Sequence, residues 1–264
     1  MISMARAALL AGAVLATVPL DGPAFGTTGQ AATAGLLPDI RTVVPKQVQL
    51  VNMHQRELLR FSNGIANTGP GHWRMRPEIT GTGSGQVQHA IQEILDGQGN
   101  VVDERLVSTY EFHAEHDHWH IDRVALFQIR SGNPVDGPIV GGNSIKVTFC
   151  LIDWYKLDDN PKHTELSYFH CGADRQGISP GWVDQYHQAT EGQALDITGV
   201  PAGDYYLVST SNPDGNFVES DTTNNTAWVS FRLSRPNGGN AKISLTGHSP
   251  CDSPGLCGLT GTNR

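Results

Sequence analysis

The sequence predicts an all-β protein, an antiparallel β-sandwich with long loops and few short helices. Three observations predict it. Val, Ile and Thr recur in short runs, clusters of Gly, Asn, Asp and Pro separate those runs, and charged residues make up only 17% of the chain against 38% hydrophobic. Branched side chains fit a pleated, half-buried surface, and turn residues at short spacing mark strand ends, the pattern of a sandwich rather than of alternating strands and helices. With 264 residues the chain is long enough for one core of roughly 200 residues and leaves little room for two.

Taken in order, strands are expected at "VQLV" (48–51), "ELLRFSNGIANTG" (57–69), "VQHAIQEIL" (87–95), "VVDERLVSTYEFH" (101–113) and "WHIDRVALFQI" (119–129). They continue at "SIKVTFCLID" (144–153), "QALDITGV" (193–200), "DYYLVSTSN" (204–212) and "TAWVSFRLS" (226–234). The turns between them carry their own signals: "DGQGN" (96–100), "GNPVDGPIVGGN" (132–143) and "PAG" (201–203). A short helix is expected only over "WVDQYHQA" (182–189), and residues 236–264 read as a loop-rich tail.

The first 34 residues read as a secretion signal. Arg6 precedes the apolar run "AALLAGAVLATVPL", and "ATA" at 32–34 offers a small-residue cleavage site after Ala34. A disordered Ala-rich tail is the plainer alternative. The run is about 14 residues against the roughly 20 a membrane helix needs, so no membrane span is expected.

Four cysteines suit an exported protein with two disulfides. Cys251 and Cys257 are near neighbours and are expected to pair. Cys150 and Cys171 then close a loop of about 20 residues, worth on the order of 3 kcal/mol in the chain-entropy picture. Thiolate ligation of a metal is the other use of four cysteines, but no CxxC spacing occurs. The net charge of −8 argues against nucleic acid as a partner and is compatible with a cationic one.

"HAEHDHWH" (113–120) places four of the eleven histidines within eight positions. His116, His118 and His120 alternate, so on a strand they would share a face, with neighbours about 6.7 Å apart. The outer two would lie about 13 Å apart on a flat strand, while an imidazole and its metal bond reach roughly 6.5 Å from the Cα. One ion can then take all three only if the strand twists or bulges. Imidazoles without thiolates suit zinc, copper or nickel, and copper(II) binds most strongly of the divalent series. Three neutral donors leave coordination positions open, the mark of a reactive site. His113 is either a partner that orients these rings or a polar strand end. A zinc hydrolase would want an aspartate at 120 and a cupin a glutamate shortly after its H-x-H pair; this chain has neither.

The run "EFHAEHDHWHID" resembles the copper-binding segment of the lysyl oxidases, and the resemblance extends around it. "LLPDI" (36–40) and "LLRFSNGIANTG" (58–69) are similar to the start of that family's catalytic domain. "KVTFCL" (146–151) resembles its lysine-bearing strand and "GISPGWVDQY" (177–186) its tyrosine-bearing loop. "DITGVPAGDYYL" (196–207) and "VESDTTNN" (218–225) resemble its closing hairpin. These motifs keep the family's order and imply a catalytic domain over 35–235.

The resemblance implies that His116, His118 and His120 ligate copper(II), and that Lys146 and Tyr186 are cross-linked into lysine tyrosylquinone. It implies a calcium site from Asp39, Glu219, Asp221, Asn224 and Asn225, with a backbone oxygen from Ile40. Carboxylates and amides are the hard oxygen donors calcium takes, although an Asx-rich turn uses the same residues. The implied activity is oxidation of a primary amine or peptidyl lysine by dioxygen to an aldehyde, with release of ammonia and hydrogen peroxide, in a secreted enzyme. Cys150 and Cys171 occupy family cysteine positions. Two further family cysteines are missing, with Trp182 at one of their places, and a histidine of animal members is absent, with Phe127 near its place. The resemblance therefore assigns no catalytic base.

Lys146 alternates with Cys150 and Ile152, opposite Val147, Phe149 and Leu151, so both faces of that strand read as buried. A copper- or zinc-binding module without turnover is the competing reading, and it has no use for the pair Lys146 and Tyr186.

Overall fold

In the computed structural model the described residues are 34–81, 87–114, 117–141, 145–160, 165–190 and 192–259. Residues 1–33, which carry most of the expected signal, lie outside them. Fifteen strands and no α-helix occur among the described residues, and every strand pairing is antiparallel.

The first sheet is built on the long strand β3 (Arg56–Asn67). Its first half pairs with β2 (Lys46–Met53) and β12 (Ala194–Asp196). Its second half pairs with β1 (Ile40–Thr42) and β11 (Trp182–Tyr186), and β11 carries the short β9 (Tyr155–Lys156) on its other edge. His54 and Gln55, with φ of 50° and 64°, make the tight turn between β2 and β3, the left-handed pair that matches strand twist.

The second sheet runs β10 (Gln176–Ile178), β4 (Trp73–Thr80), β5 (Val87–Leu95), β6 (Val101–His113), β7 (His118–Ser131), β13 (Gly203–Ser211), β14 (Thr226–Ser234) and β15 (Lys242–His248). β8 (Ile145–Phe149) also pairs with β7. The "DGQGN" turn works through Asp96, whose Oδ1 accepts the N–H groups of Gln98 and Asn100, both at 2.9 Å.

The main core lies between the two sheets. It joins Leu59, Phe61 and Ile65 of β3 to Ile121, Phe127 and Ile129 of β7 and Leu207 of β13. Phe61 and Phe127 meet edge to face with ring centroids 4.8 Å apart. Burying such side chains supplies roughly 1.5–3 kcal/mol each. Phe127, 1% exposed, is thus a packing residue and no substitute for a catalytic histidine.

One expectation is corrected. Residues 182–186 form β11 rather than the start of a helix, because the segment inserts between β3 and β9 and both neighbours take its backbone hydrogen bonds. Within residues 236–259, β15 adds an edge strand to β14. No helix among the described residues is long and apolar enough to cross a membrane.

Candidate active site

Three segments meet at one end of the interface between the sheets: the start of β7, the end of β8 and β11. β6 and β7 form a hairpin in which His113 faces His118 and Glu111 faces His120. Asp117, just before β7, takes the left-handed φ of 54°. β7 starts at His118, so among the described residues the alternation lies on a strand for His118 and His120. His116 lies outside the described residues.

His118 and His120 share one face of β7, and their Nε2 atoms stand 2.7 Å apart. His120 is 2% exposed. Its Nδ1 lies 2.8 Å from Thr148 Oγ1 on β8, and the same hydroxyl lies 3.3 Å from His113 Nε2. The His113 ring stacks on that of His120 at 4.1 Å. An outer nitrogen held by a hydroxyl, with the inner nitrogen turned toward a second imidazole, is compatible with a metal-bound histidine, whose outer nitrogen is held by a hydroxyl, carbonyl or carboxylate. Among the described residues no three His, Cys, Asp or Glu side chains gather as a metal group. Two of the three expected copper ligands do converge, and the donor set, imidazole without thiolate, fits copper(II).

Tyr186 ends β11 and packs against the main core. Its ring centroid lies 6.2 Å from that of His120 and 4.3 Å from that of Phe149. Its hydroxyl oxygen accepts the N–H of Cys150 at 2.9 Å. Burial first, and the nearby Asp184 carboxyl second, push the phenol well above its ordinary range, so it keeps its proton in neutral solution. Lys146 sits in β8 with its backbone opposite Leu126; its side chain lies outside the described residues. Cys150 and Cys171 are bonded, as are Cys251 and Cys257. Gln176 ties the segments together, donating to the Trp119 carbonyl at 2.9 Å and accepting the Leu151 N–H at 3.1 Å.

His118, Tyr186 and the Cys150–Cys171 disulfide line one cavity of about 410 Å³, with Ile152, Trp154 and Asp184. Asp184 and Thr148 are the residues that sequence reasoning missed. The signal for Asp184 was its alternation with Tyr186, which places both on one face of a strand but not of a helix.

The expected calcium residues also meet. Asn224 Nδ2 donates to Asp39 Oδ1 at 3.0 Å and to Asp221 Oδ2 at 3.2 Å. Glu219 accepts the Ile40 N–H at 2.9 Å and Asn225 Nδ2 at 2.7 Å. The Ile40 carbonyl accepts Ser211 Oγ at 2.8 Å. The amide oxygens of Asn224 and Asn225 are buried without a hydrogen-bond partner. Orphaned oxygens among carboxylates fit a hard cation. Burial, opposed by the Asn212 and Asn225 amides, raises the Glu219 carboxyl above its usual range.

Comparison with known proteins adds the following. The Lysyl oxidase family model matches residues 88–237. Human protein-lysine 6-oxidase is 34% identical over 125 residues, 47% of this chain and 28% of that protein. Human lysyl oxidase homolog 1 is 31% identical over 133 residues, 49% of this chain and 21% of the relative. Lysyl oxidase homolog 2 of Bos taurus is 29% identical over 174 residues, 64% of this chain and 17% of the relative. The chain thus spans less than a third of the length of each of these relatives.

Proposed function

The chain belongs to the lysyl oxidase family, and from that premise we propose that it is a secreted copper-dependent amine oxidase. The reaction converts a primary amine, dioxygen and water into an aldehyde, ammonia and hydrogen peroxide. The observation that carries the proposal is the meeting of His118 and His120, Nε2 to Nε2 at 2.7 Å, with Tyr186 on the wall of the same cavity. A metal-binding module has no need of a partly buried tyrosine there.

In this proposal His116, His118 and His120 hold copper(II), and Lys146 and Tyr186 supply lysine tyrosylquinone. When bound, copper(II) supplies a redox partner for dioxygen beside the Tyr186 ring, and the quinone supplies an electrophilic carbonyl that no ordinary side chain offers. The remaining work belongs to the chain. Thr148 and His113 fix the His120 ring so that its Nε2 faces inward. The Cys150 N–H holds the Tyr186 oxygen in one place. Ile152, Trp154 and the disulfide give the cavity apolar surface on which the hydrocarbon part of an amine can lie.

Domain limits follow the same proposal: a signal over 1–34, a catalytic domain over 35–235 and a tail over 236–264. Two disulfides among the described residues support export to an oxidising compartment. The cluster of Asp39, Ile40, Glu219, Asp221, Asn224 and Asn225 is proposed to hold calcium. The partners are dioxygen and a primary amine or lysine-containing protein; nucleic acid is not among them. Lys146→Ala and Tyr186→Phe are expected each to abolish amine-dependent peroxide release while leaving copper bound. Peroxide release at the wild-type rate from either variant refutes the proposal.

A further inference from the structure

β11 sends Trp182, Asp184 and Tyr186 to one face and Val183 to the other. Val183 packs into a small cluster with Val43, Ala66 and Tyr155. Trp182 and Tyr186 face the main core. Asp184 therefore points between the sheets, where it is 2% exposed.

Its carboxylate is incompletely satisfied. Asp184 Oδ2 is buried without a hydrogen-bond partner, and among the described residues no ion pair includes Asp184. The neighbouring buried carboxylate, Asp153, shows the contrast. It accepts the Ser179 N–H and hydroxyl, both at 2.7 Å, and the N–H groups of Ser167 and Tyr168 at 2.8 and 3.2 Å. Asp153 is a structural acid whose needs the chain meets. An unmet buried carboxylate costs several kcal/mol by ordinary estimates, and such a group persists where something outside the chain completes it.

The cavity indicates what that is. Asp184 shares the cavity with Tyr186 and His118, with Ile152, Trp154 and the Cys150–Cys171 disulfide as its apolar surface and Gln185 and Thr190 as further polar lining. One acid beside apolar surface matches a primary ammonium on a hydrocarbon stem: the stem lies along that surface and an N–H reaches the unpartnered oxygen. We propose that Asp184 receives the ammonium group of the amine substrate and takes from it the proton that must leave before the nitrogen can attack. One N–H bond breaks and one carboxyl O–H bond forms; R–NH3+ and carboxylate become R–NH2 and carboxylic acid, with no change of oxidation state. The inference rests on the amine-oxidase proposal, which makes an amine the ligand.

The surroundings favour this transfer. Burial raises the Asp184 carboxyl well above the usual range, and the Asp153 carboxylate raises it further, against one N–H from Gln185. Among the described residues, titratable groups near it include the hydroxyls of Tyr155 and Tyr186, both kept protonated mainly by burial, and His118 on the cavity wall. Across the strand pairing stands Ile65, which carries no charge.

The test is calorimetric titration of the full-length chain, kept free of copper so that amine binds without turnover. The probe is n-butylamine, with n-butanol as the uncharged control. Asp184→Asn is expected to weaken n-butylamine binding about 10- to 100-fold, the value of a charge-assisted hydrogen bond, and to leave n-butanol binding unchanged. In the wild type, affinity for n-butylamine should rise as pH rises through the carboxyl's range; Asp184→Asn should lose that rise and Asp184→Glu should recover it. Unchanged affinity in Asp184→Asn overturns the inference. So does a pH-independent affinity in the wild type, a result that needs no variant to fold. Peroxide release by the copper-loaded wild type is measured alongside. If it occurs while Asp184→Asn binds n-butylamine normally, the Asp184 role fails and the oxidase proposal stands. If Asp184 binds the amine and no peroxide appears, the reverse holds.

Discussion

Thr148→Val isolates the hydroxyl that contacts His120 and His113, the rings proposed to serve a metal. Valine keeps the volume and branching of threonine and suits a strand, so β8 should form unchanged. What disappears is one oxygen, 2.8 Å from His120 Nδ1 and 3.3 Å from His113 Nε2. The shorter contact is worth about 0.5–1.5 kcal/mol of stability; the longer one adds less. For a chain of this size the thermal midpoint should fall by about 1–6 °C. The larger effect falls on the ion. An imidazole that loses its outer partner typically loses 10- to 100-fold in metal affinity, about 1.4–2.7 kcal/mol. Competition with a coloured chelator reads the copper dissociation constant directly. Thr148→Ser, which keeps the hydroxyl, should bind copper within a few-fold of wild type. If Thr148→Val and Thr148→Ser bind copper equally well, the hydroxyl does not hold His120 for a metal, and the geometric argument for the site is wrong.

Two further outcomes follow from the same geometry. His118→Ala should abolish stoichiometric copper binding, since it removes one of the two nitrogens that meet at 2.7 Å; metal analysis of the purified variant checks this, and full copper content counts against the site. Glu219→Ala and Asp221→Ala should lower the thermal midpoint when calcium is present and much less in chelator, because an ion that binds only the folded chain stabilises it by mass action. Equal loss in both conditions marks an ordinary turn. The Glu219 carboxyl is raised by burial, so without calcium its ionisation weakens the fold as pH climbs from the unfolded value through the folded one. Calcium should reverse that trend, and melting curves on either side of the carboxylate range measure it.

Much of the fold is legible in the sequence because alternation and burial coincide. β5, β6 and β14 have the limits their patterns predict, since each lies within the larger sheet with neighbours on both sides. β15 is not legible: most of "KISLTGH" is exposed, and the strand exists through pairing with β14 rather than through a buried face. β4 hides behind Arg74, Arg76 and Pro77, although Trp73 and Met75 are fully buried. β11 is the instructive failure. "WVDQY" carries no β-branched run to distinguish strand from helix, and tertiary pairing with β3 decides it. Reading it as helix separates Asp184 from Tyr186 by about 200° around the axis; reading it as strand puts both on one wall. The histidine cluster is legible by its density alone. The left-handed backbone at Asp117 is not, because an aspartate has only a weak preference for it.

The central claim is that Tyr186 and Lys146 become one cofactor beside a histidine-bound copper. Peptide mapping by mass spectrometry of copper-loaded, aerated protein tests it most directly, with amine-dependent peroxide release measured on the same sample. The account predicts a peptide pair joined through residues 146 and 186, absent from Tyr186→Phe and from protein kept free of copper. Fully loaded, aerated wild-type protein with separate Lys146 and Tyr186 peptides and no oxidation of any primary amine would contradict it.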